Sequence, residues 1–330
     1  MAKIKSAPTM KDVARESGVA LGTVSKVING IPVGESYRIR VEEAIKKLNY
    51  RVNNYAKGLK SNHTNTIAVI VPNLINPFFG QLVHYINVSL SEAGYQMLVC
   101  STDFNPVTEQ NVVIMAEQKK VDGIICLSYN PDLQVSEDIP FVSIDRYFGD
   151  KIPCITSDNY AGGMLAARQL INNGCKNIAF LRIGSPLSNE TNKRSDGFVS
   201  ECTNSGVNHS LKILNDGDSH QQFMDFLKDH YKDGKLEFDG IFCVTDWLEH
   251  IIEGMLKELG LTVPEDVQLI GFDGIRRFGD MEYCCSTIVQ QVDKIASTCV
   301  EMVLKSNREN LPTLVCLPVQ YAYGGTTKDK

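Results

Sequence analysis

The chain has 330 residues, of which 43% are hydrophobic and 22% charged, and a formal net charge of −6. This length allows two or three domains, and the composition is that of a water-soluble globular protein. No run of about 18 apolar residues occurs, which excludes a membrane-spanning helix. The Met-Ala-Lys-Ile-Lys start has no apolar signal core, so we expect a cytoplasmic protein. The ten cysteines form no C-x-x-C pair, which argues against a zinc site or a disulfide scaffold.

Charge is distributed unevenly along the chain. Residues 1–65 contain twelve Lys or Arg and five Asp or Glu, a net charge of +7, so the rest of the chain carries −13. A basic N-terminal piece on an acidic body favours a local nucleic-acid surface over a generally adhesive protein. A basic face that is merely solvated is the alternative.

Two short helices are predicted within Thr9–Asn29. Their apolar residues follow helical spacing: Met10, Val13 and Ala14, then Val24, Val27 and Ile28. Gly18 lies between them, as a glycine does after a helix C-terminus. Two such helices around a tight turn are typical of a helix-turn-helix, whose second helix fits the DNA major groove. An ordinary helical hairpin in a globular core is the alternative.

A third helix is predicted from about Glu35 to Leu48, with Val41, Ala44 and Ile45 on its apolar stripe. Residues 1–52 are therefore interpreted as a three-helix domain, which has a small core and marginal stability. Residues 53–64 are polar and basic, and we interpret them as a linker.

From residue 65 onward, strand and helix patterns alternate. After Ile67–Val71, a buried parallel-type strand, the predicted strands are about Met97–Cys100, Gly123–Leu127, Phe141–Ile144, Ile178–Leu181, Gly240–Val244 and Gln268–Gly271. The predicted helices are about Pro77–Gly94, Val107–Lys120, Ala161–Asn173, Lys193–Ser205, Gln221–Asp229 and Leu248–Leu259. This alternation predicts an α/β fold with doubly wound parallel sheets. About 265 residues exceed one such sheet, so we expect two similar subdomains with a ligand between their strand ends.

Motifs of catalysis are lacking in this part of the chain. Neither G-x-G-x-x-G nor the P-loop pattern occurs, and no Ser/His/Asp order or metal-ligand cluster stands out. The six histidines occur singly, so each is expected to be a surface or packing residue. We therefore predict a protein that is not an enzyme and that has no metal or cofactor.

Eight short stretches follow one another in a fixed order. They are T-M-K-D-V-A-R-E-S-G-V at Thr9–Val19, T-V-S-K-V-I-N-G at Thr23–Gly30, Asn53–Lys60, N-T-I-A-V-I-V-P at Asn65–Pro72, N-P-F-F at Asn76–Phe79, S-D-N-Y-A-G-G at Ser157–Gly163, V-P-E-D-V at Val263–Val267 and G-F-D-G at Gly271–Gly274. In this order and spacing the chain resembles the lactose-repressor/galactose-repressor (LacI/GalR) family of bacterial transcription regulators over nearly its whole length.

The resemblance implies a three-part organisation. Residues 1–52 form the helix-turn-helix domain, 53–64 a hinge helix and linker, and 65–330 a sensor similar to type I periplasmic sugar-binding proteins. In the sensor, subdomain 1 comprises about 66–160 plus 292–318, and subdomain 2 about 161–291 plus 319–330. Three crossovers join the two.

The resemblance places the recognition helix at about Ala20–Asn29. Leu21, Gly22 and Lys26 are its base-reading positions, where Lys26 can donate to guanine and Leu21 can pack on a thymine methyl. Thr23, Ser25 and Asn29 are sized for phosphate contacts, although Thr23 and Ser25 also fit plain helix surface or capping. Two residues depart from the family: Ala20 replaces the usual capping Ser, at a cost of ~1 kcal/mol, and Gly22 offers no side chain for base readout.

The stretch Asn53–Lys60 corresponds to the family's hinge, which folds only on DNA beside the hinge of the dimer mate. Alone, so short a helix is marginal, and Gly58 weakens it by a further ~1 kcal/mol. Leu59 lies where the family inserts a wedge into the minor groove, unless it packs on the sensor instead. The full expected DNA-binding set is Lys11, Ala20, Leu21, Gly22, Thr23, Ser25, Lys26, Asn29, Asn53, Ala56, Leu59 and Lys60.

Six sensor residues match positions that line the family's effector cleft: Asn76, Phe79, Arg194, Thr245, Asp246 and Asp273. The two carboxylates follow strand ends and can accept hydrogen bonds from sugar hydroxyls. Asp246 could instead cap a helix beginning at Trp247, and Phe79 could be a core residue. Thr245 replaces a common Asn, and Ser219-His220 follow Gly217-Asp218 where the family often has a stacking aromatic, so we expect atypical ligand specificity.

The resemblance implies a sequence-specific DNA-binding transcription regulator, a repressor whose operator affinity is modulated by a bound sugar or sugar phosphate. Its partners are double-stranded operator DNA, the effector and a second copy, with no membrane. The polar end, residues 324–330, has no leucine heptads, so we expect a dimer. A solute-binding protein and an α/β enzyme acting on a sugar are the alternatives. The basic N-terminal piece argues against the first, and the missing nucleophile–base arrangement against the second.

Overall fold

A computed structural model of the protein describes residues 8–51, 63–184, 189–215, 217–277, 281–305 and 311–328. The chain divides into two compact units, Met1–Thr64 and Asn65–Lys330. Within the described ranges, no helix is long and apolar enough to cross a bilayer. Four residues of the expected DNA-binding set, Asn53, Ala56, Leu59 and Lys60, lie outside the described residues.

The described residues of the first unit form three helices: α1 Met10–Ser17, α2 Leu21–Ile28 and α3 Glu35–Leu48. Thr9 begins α1 with a capping box, in which its hydroxyl accepts from the Asp12 amide while the Asp12 carboxylate accepts from the Thr9 amide. Gly18 ends the helix in the left-handed region at φ 63°. The three helices enclose a small core of buried aliphatic side chains: Val13, Val19, Val24, Val41 and Ala44.

The second unit is built on two six-stranded sheets. Its strands are β1 Thr66–Val71, β2 Gln96–Ser101, β3 Gly123–Leu127, β4 Phe141–Ile144, β5 Cys154–Ser157, β6 Asn177–Ile183, β7 Asn208–Leu214, β8 Tyr231–Lys232, β9 Lys235–Leu236, β10 Gly240–Cys243, β11 Gln268–Asp273, β12 Thr287–Val289, β13 Leu314–Leu317 and β14 Gln320–Ala322. Its helices are α4 Pro77–Glu92, α5 Pro106–Gln118, α6 Asn159–Asn172, α7 Lys193–Ser205, α8 Gln221–Asp229, α9 Asp246–Glu258 and α10 Val292–Leu304.

Strand order separates this unit into two subdomains. The sheet of subdomain 1 is entirely parallel, in the order β13-β5-β4-β3-β1-β2. The sheet of subdomain 2 has the order β14-β12-β11-β10-β6-β7, and its edge pair β12–β14 is antiparallel. The chain crosses between the sheets after β5, after β12 and after β13. The predicted α/β fold with doubly wound sheets is confirmed.

Helices cover both faces of the first sheet, which explains the apolar runs in its strands. In β1, Ile67 and Val69 pack with α4 and α10, whereas Ala68 and Ile70 face α5. Subdomain 2 has its own core around the aromatic side chains Phe180, Phe198 and Phe242. These cores fix the strand ends from which the loops of the cleft emerge.

Several elements differ from the sequence-based prediction. Helix α9 begins at Asp246 rather than Leu248, because the Thr245 hydroxyl accepts from the Leu248 amide and caps the helix earlier. Helix α6 likewise begins at Asn159, capped by Asp158. Strands β5, β7, β12, β13 and β14, the β8–β9 hairpin and helix α10 were not predicted.

Candidate DNA-binding module and effector cleft

The N-terminal half of α2 is open to solvent. Ala20, Leu21, Gly22 and Lys26 are exposed, and Thr23 is half-buried, while the intervening Val24 is fully buried in the core of the first unit. The Ala20 side chain makes no capping hydrogen bond, as expected from the departure at this position. An added Cβ at Gly22 would meet nothing within 4 Å, so this position has space for a side chain although glycine provides none.

Two lysines of the expected DNA-binding set have ammonium groups without an ion-pair partner among the described residues. Lys11 and Lys26 are exposed, and neither forms an ion pair within the described part of the chain. By contrast, Arg38 is engaged by Glu35 and Glu42 on α3. Unpaired ammonium groups suit phosphate or guanine contacts, because no internal ion pair has to be broken first.

The remaining expected contacts on α2 have local bonds. The Asn29 amide nitrogen donates to the Ser25 carbonyl at 2.8 Å, so Asn29 satisfies the helix C-terminus. At the turn before α2, Arg40 Nη2 of α3 donates to the Ser17 and Gly18 carbonyls at 2.5 and 3.0 Å. This arginine ties α3 to the turn, and thereby fixes where α2 begins.

A cavity of about 550 Å³ lies where the carboxyl ends of both sheets meet, which is the size of a small-molecule site. Its polar side chains come from the carboxyl ends of strands: Asn73 and Asn76 after β1, Asp103 after β2, Asp145 after β4, Thr245 after β10, and Asp273 at the end of β11. Since residues of both subdomains line it, a ligand bound there contacts both.

A buried hydrogen-bond network connects the two sides of this cleft. Thr156 donates to Asp145 at 2.6 Å, and Asn159 Nδ2 donates to Thr156 at 3.0 Å. Arg194, only 3% exposed, donates from Nε to Asn159 at 2.7 Å and from Nη1 to the Val244 carbonyl at 2.6 Å.

Arg194 also lies close to the second carboxyl of the cleft. Its Nη1 is 4.0 Å from Asp273 Oδ1, and its guanidinium lies 3.5 Å from the centre of the Phe272 ring. Gln290 donates to Asp273 at 2.8 Å. Burial raises the pKa of both Asp145 and Asp273, and the charge of Arg194 partly opposes that rise.

Asp246 is the one expected effector residue that does not line the cleft. Its Oδ2 accepts from the Gly274 and Ile275 amides at 3.0 and 2.7 Å, and its Oδ1 accepts from Thr287 at 2.6 Å. Because both oxygens are committed inside the fold, Asp246 positions the loop after Asp273 rather than facing a ligand. Nor does its side chain cap α9, since Thr245 does.

Comparison with known proteins decides what this architecture is. The family model described as periplasmic binding proteins and the sugar-binding domain of the LacI family matches residues 64–309, and the model of bacterial regulatory proteins of the lacI family matches residues 9–53. The chain belongs to the LacI family. As a member, it is a DNA-binding regulator of transcription.

Several relatives of this LacI-family chain match most of its length. The sucrose operon repressor of Pediococcus pentosaceus is 31% identical over 97% of this chain and 99% of its own. A LacI-type regulator of Alkaliphilus metalliredigens, solved with D-xylulofuranose, is 28% identical with a TM-score of 0.68 over 80% of this chain and 100% of its own. The lac repressor dimer bound to operator and the anti-inducer ONPF shares the fold, with a TM-score of 0.80 at 22% identity over 98% of this chain and 100% of its own.

In this LacI-family sensor, five of the six expected effector residues lie together in the cleft: Asn76, Phe79, Arg194, Thr245 and Asp273. Phe79 is buried at the same time, so both interpretations of it hold. Sequence reasoning missed further lining residues: Phe104, Tyr129, Asp145, Arg182, His220 and Trp247. Asp145 directly follows a predicted strand, so the rule that singled out Asp273 would also have found it. His220 places an imidazole one position after the site where the family often has an aromatic.

Proposed function

We propose that this LacI-family regulator is a cytoplasmic repressor that binds operator DNA as a homodimer and that a sugar or sugar phosphate in the cleft modulates its DNA affinity. One observation carries the proposal. A single chain joins an open α2 with unpaired Lys11 and Lys26 to a cleft lined by strand-end polar groups of two subdomains.

The cleft suits a polyhydroxylated ligand. A hydroxyl both donates and accepts, and the cleft offers carboxylates at Asp145 and Asp273, the guanidinium of Arg194 and the amide of Asn76. Sucrose and ribose operon repressors and the transcriptional repressor PurR are among the relatives of the chain. These support a regulatory ligand rather than a reaction, so we propose that the bound molecule is released unchanged.

Two full-length measurements test the proposal. Selection from random duplexes should enrich a two-fold symmetric site, because a dimer binds two half-sites. Gel-shift titration on that site with a panel of sugars and sugar phosphates should then move the DNA dissociation constant. The proposal fails if no site is enriched, if no compound of the panel changes DNA affinity, or if chromatography shows that the active compound is converted.

A further inference from the structure

Trp247 is a large apolar side chain left open at the cleft. It is the only tryptophan of the chain, it is 48% exposed, and it lines the cleft from the first turn of α9. Its neighbours Asp246 and Leu248 are buried, so the backbone that carries it is fixed. No aromatic ring of the described chain packs against it. An uncovered indole at a ligand site is available as a stacking surface.

Subdomain 1 supplies aromatic surface to the same cleft. The rings of Phe79 and Phe104 are 6.4 Å apart, and those of Phe104 and Tyr129 are 5.2 Å apart. Phe104 is 40% exposed. A ligand in the cleft therefore meets aromatic side chains from both subdomains, with Trp247 as the contribution of subdomain 2. The C–H face of a sugar ring suits such surfaces, because aromatic faces carry partial negative charge.

Among the described lining residues of the cleft, carboxyl groups outnumber guanidinium groups. Its acidic lining residues are Asp103, Asp145 and Asp273, and its described basic ones, apart from His220, are Arg182 and Arg194. Arg182 donates to Asn192, and Arg194 uses Nε and Nη1 within the fold while it lies over Phe272. Two-point binding of a phosphate through Nε and a neighbouring Nη needs both donors open, and Arg194 already donates its Nε to Asn159.

Two helices that begin at the cleft, α4 and α9, have their N-termini capped by their own side chains. Asn76 Oδ1 accepts from the Phe78 amide at 3.0 Å at the start of α4, where Pro77 has no N–H. Thr245 Oγ1 accepts from the Leu248 amide at 3.1 Å at the start of α9. These caps take up donors that a phosphate would otherwise use. They leave the Asn76 Nδ2 group as a neutral donor toward a hydroxyl.

We propose that the effector is an uncharged sugar whose ring lies against the indole of Trp247, and that the cleft rejects phosphorylated sugars. This inference rests on the proposed function and narrows its ligand class. Trp247 is then a specificity-determining contact of the effector site.

Matched pairs of probes test the charge preference on the full-length protein. The pairs are sucrose and sucrose 6-phosphate, glucose and glucose 6-phosphate, and ribose and ribose 5-phosphate. Because Trp247 is the sole tryptophan, its intrinsic fluorescence reports the cleft directly. At least one uncharged sugar should shift this fluorescence, and its phosphorylated partner should bind at least about 100-fold more weakly, as expected for an anion without a partner. Equal or tighter binding of the phosphorylated member, or no response to any uncharged sugar, overturns the inference.

Substitutions test the role of the indole, with the bound sugar titrated by calorimetry. Trp247→Ala should weaken binding at least about tenfold, whereas Trp247→Phe keeps an aromatic face and should stay within about threefold. Tyr323→Ala is the matched control, since Tyr323 is 51% exposed and does not line the cleft. The inference fails if Trp247→Ala binds as tightly as this control, or if it changes the oligomeric state while affinity is unchanged.

DNA binding separates this inference from the proposed function. If a phosphorylated sugar alone moves the DNA dissociation constant, the charge preference is wrong but a sugar-modulated regulator remains. If no sugar of either kind moves it, the proposed function fails as well.

Discussion

Removal of the Asp246 carboxylate should destabilise the sensor, although this side chain is not expected to touch the effector. In Asp246→Ala, the Ile275 amide loses its acceptor at 2.7 Å, while the Gly274 amide keeps the Thr287 hydroxyl at 3.2 Å. An orphaned buried N–H costs ~1–3 kcal/mol, and the small cavity left by the carboxylate adds ~1 kcal/mol. We therefore expect the free energy of unfolding to fall by roughly 2–4 kcal/mol near pH 4, where the folded protein holds Asp246 protonated. At pH 7 the loss is smaller, because the Ala variant also removes the buried charge.

Asp246→Asn is the matched control, because it removes the charge and keeps an oxygen for the Gly274 and Ile275 amides. Its amide nitrogen replaces the Oδ1 that accepts from Thr287, and the Thr287 hydroxyl must then turn to accept from it. Burial raises the pKa of Asp246 from 3.8 to about 6. A raised folded-state pKa of an acid means that the folded protein binds the proton more tightly. The stability gained from holding Asp246 protonated is therefore present below pH 4 and is lost as the pH rises to 6. The loss reaches about 3 kcal/mol, at 1.36 kcal/mol per pH unit.

Urea unfolding followed by Trp247 fluorescence measures both effects, since the only tryptophan adjoins the substituted residue. At pH 7 the free energy of unfolding of the Asn variant should be within ~1 kcal/mol of the parent value, or higher. The difference in this free energy between the parent and the Asn variant should change between pH 4 and 6. If the Ala and Asn variants unfold at the same urea concentration, the carboxylate does not hold the loop. If the difference is independent of pH, the raised pKa is wrong.

The DNA-binding module and the assembly of the chain give three further predictions. Operator affinity should fall roughly 10³-fold between about 50 and 200 mM salt for some six phosphate contacts, and a flat salt response in filter binding would contradict this salt dependence. Lys26→Ala should reduce the preference for the operator over other sequences. Gly18→Ala should cost the module ~1–2 kcal/mol in calorimetry, because φ is 63° and the new Cβ would lie 2.7 Å from Arg40 Nη2; an unchanged first transition would refute it. Light scattering should give a dimer, and monomers or stable tetramers would exclude that.

Elements with a strong apolar period were predictable from the sequence. Helix α3 has the predicted bounds, Glu35–Leu48, and β3 and β4 also coincide. Strand β7, Asn208–Leu214, escaped because it is a sheet edge in which only Leu214 is buried, so it lacks an apolar run. Strand β12 has three residues, too few for any period to emerge. Helix α10 does carry the helical spacing, at Val292, Ile295, Ala296 and Cys299, and could have been found.

The cleft was predictable where a residue follows a strand end, and unpredictable where side-chain direction decides. Asp246 follows β10 and Asp273 ends β11 of the same sheet. Yet the Asp246 carboxylate accepts from the Gly274 and Ile275 amides inside the fold, whereas Asp273 lines the cleft. Nothing in the local sequence distinguishes the two, because the difference arises from the loop that folds back over α9. Trp247 was missed because a single exposed aromatic side chain on a helix leaves no periodic pattern in the sequence.

The network across the cleft offers a way for a bound ligand to change the arrangement of the two subdomains, and this makes a last prediction. Asp145 and Asp273 lie on opposite subdomains with φ of 58° and 135°, backbone conformations that non-glycine residues seldom adopt. Arg194 and Asn159 join them, so a ligand that bonds to both carboxyls changes the free energy of one arrangement of the subdomains relative to another. Such couplings are typically ~1–3 kcal/mol, and they are reciprocal. Operator DNA must therefore change effector affinity by the factor by which effector changes operator affinity, roughly 5–150-fold. Calorimetric titration of the effector with and without operator measures this factor, and identical affinities would show that cleft and DNA-binding module are uncoupled.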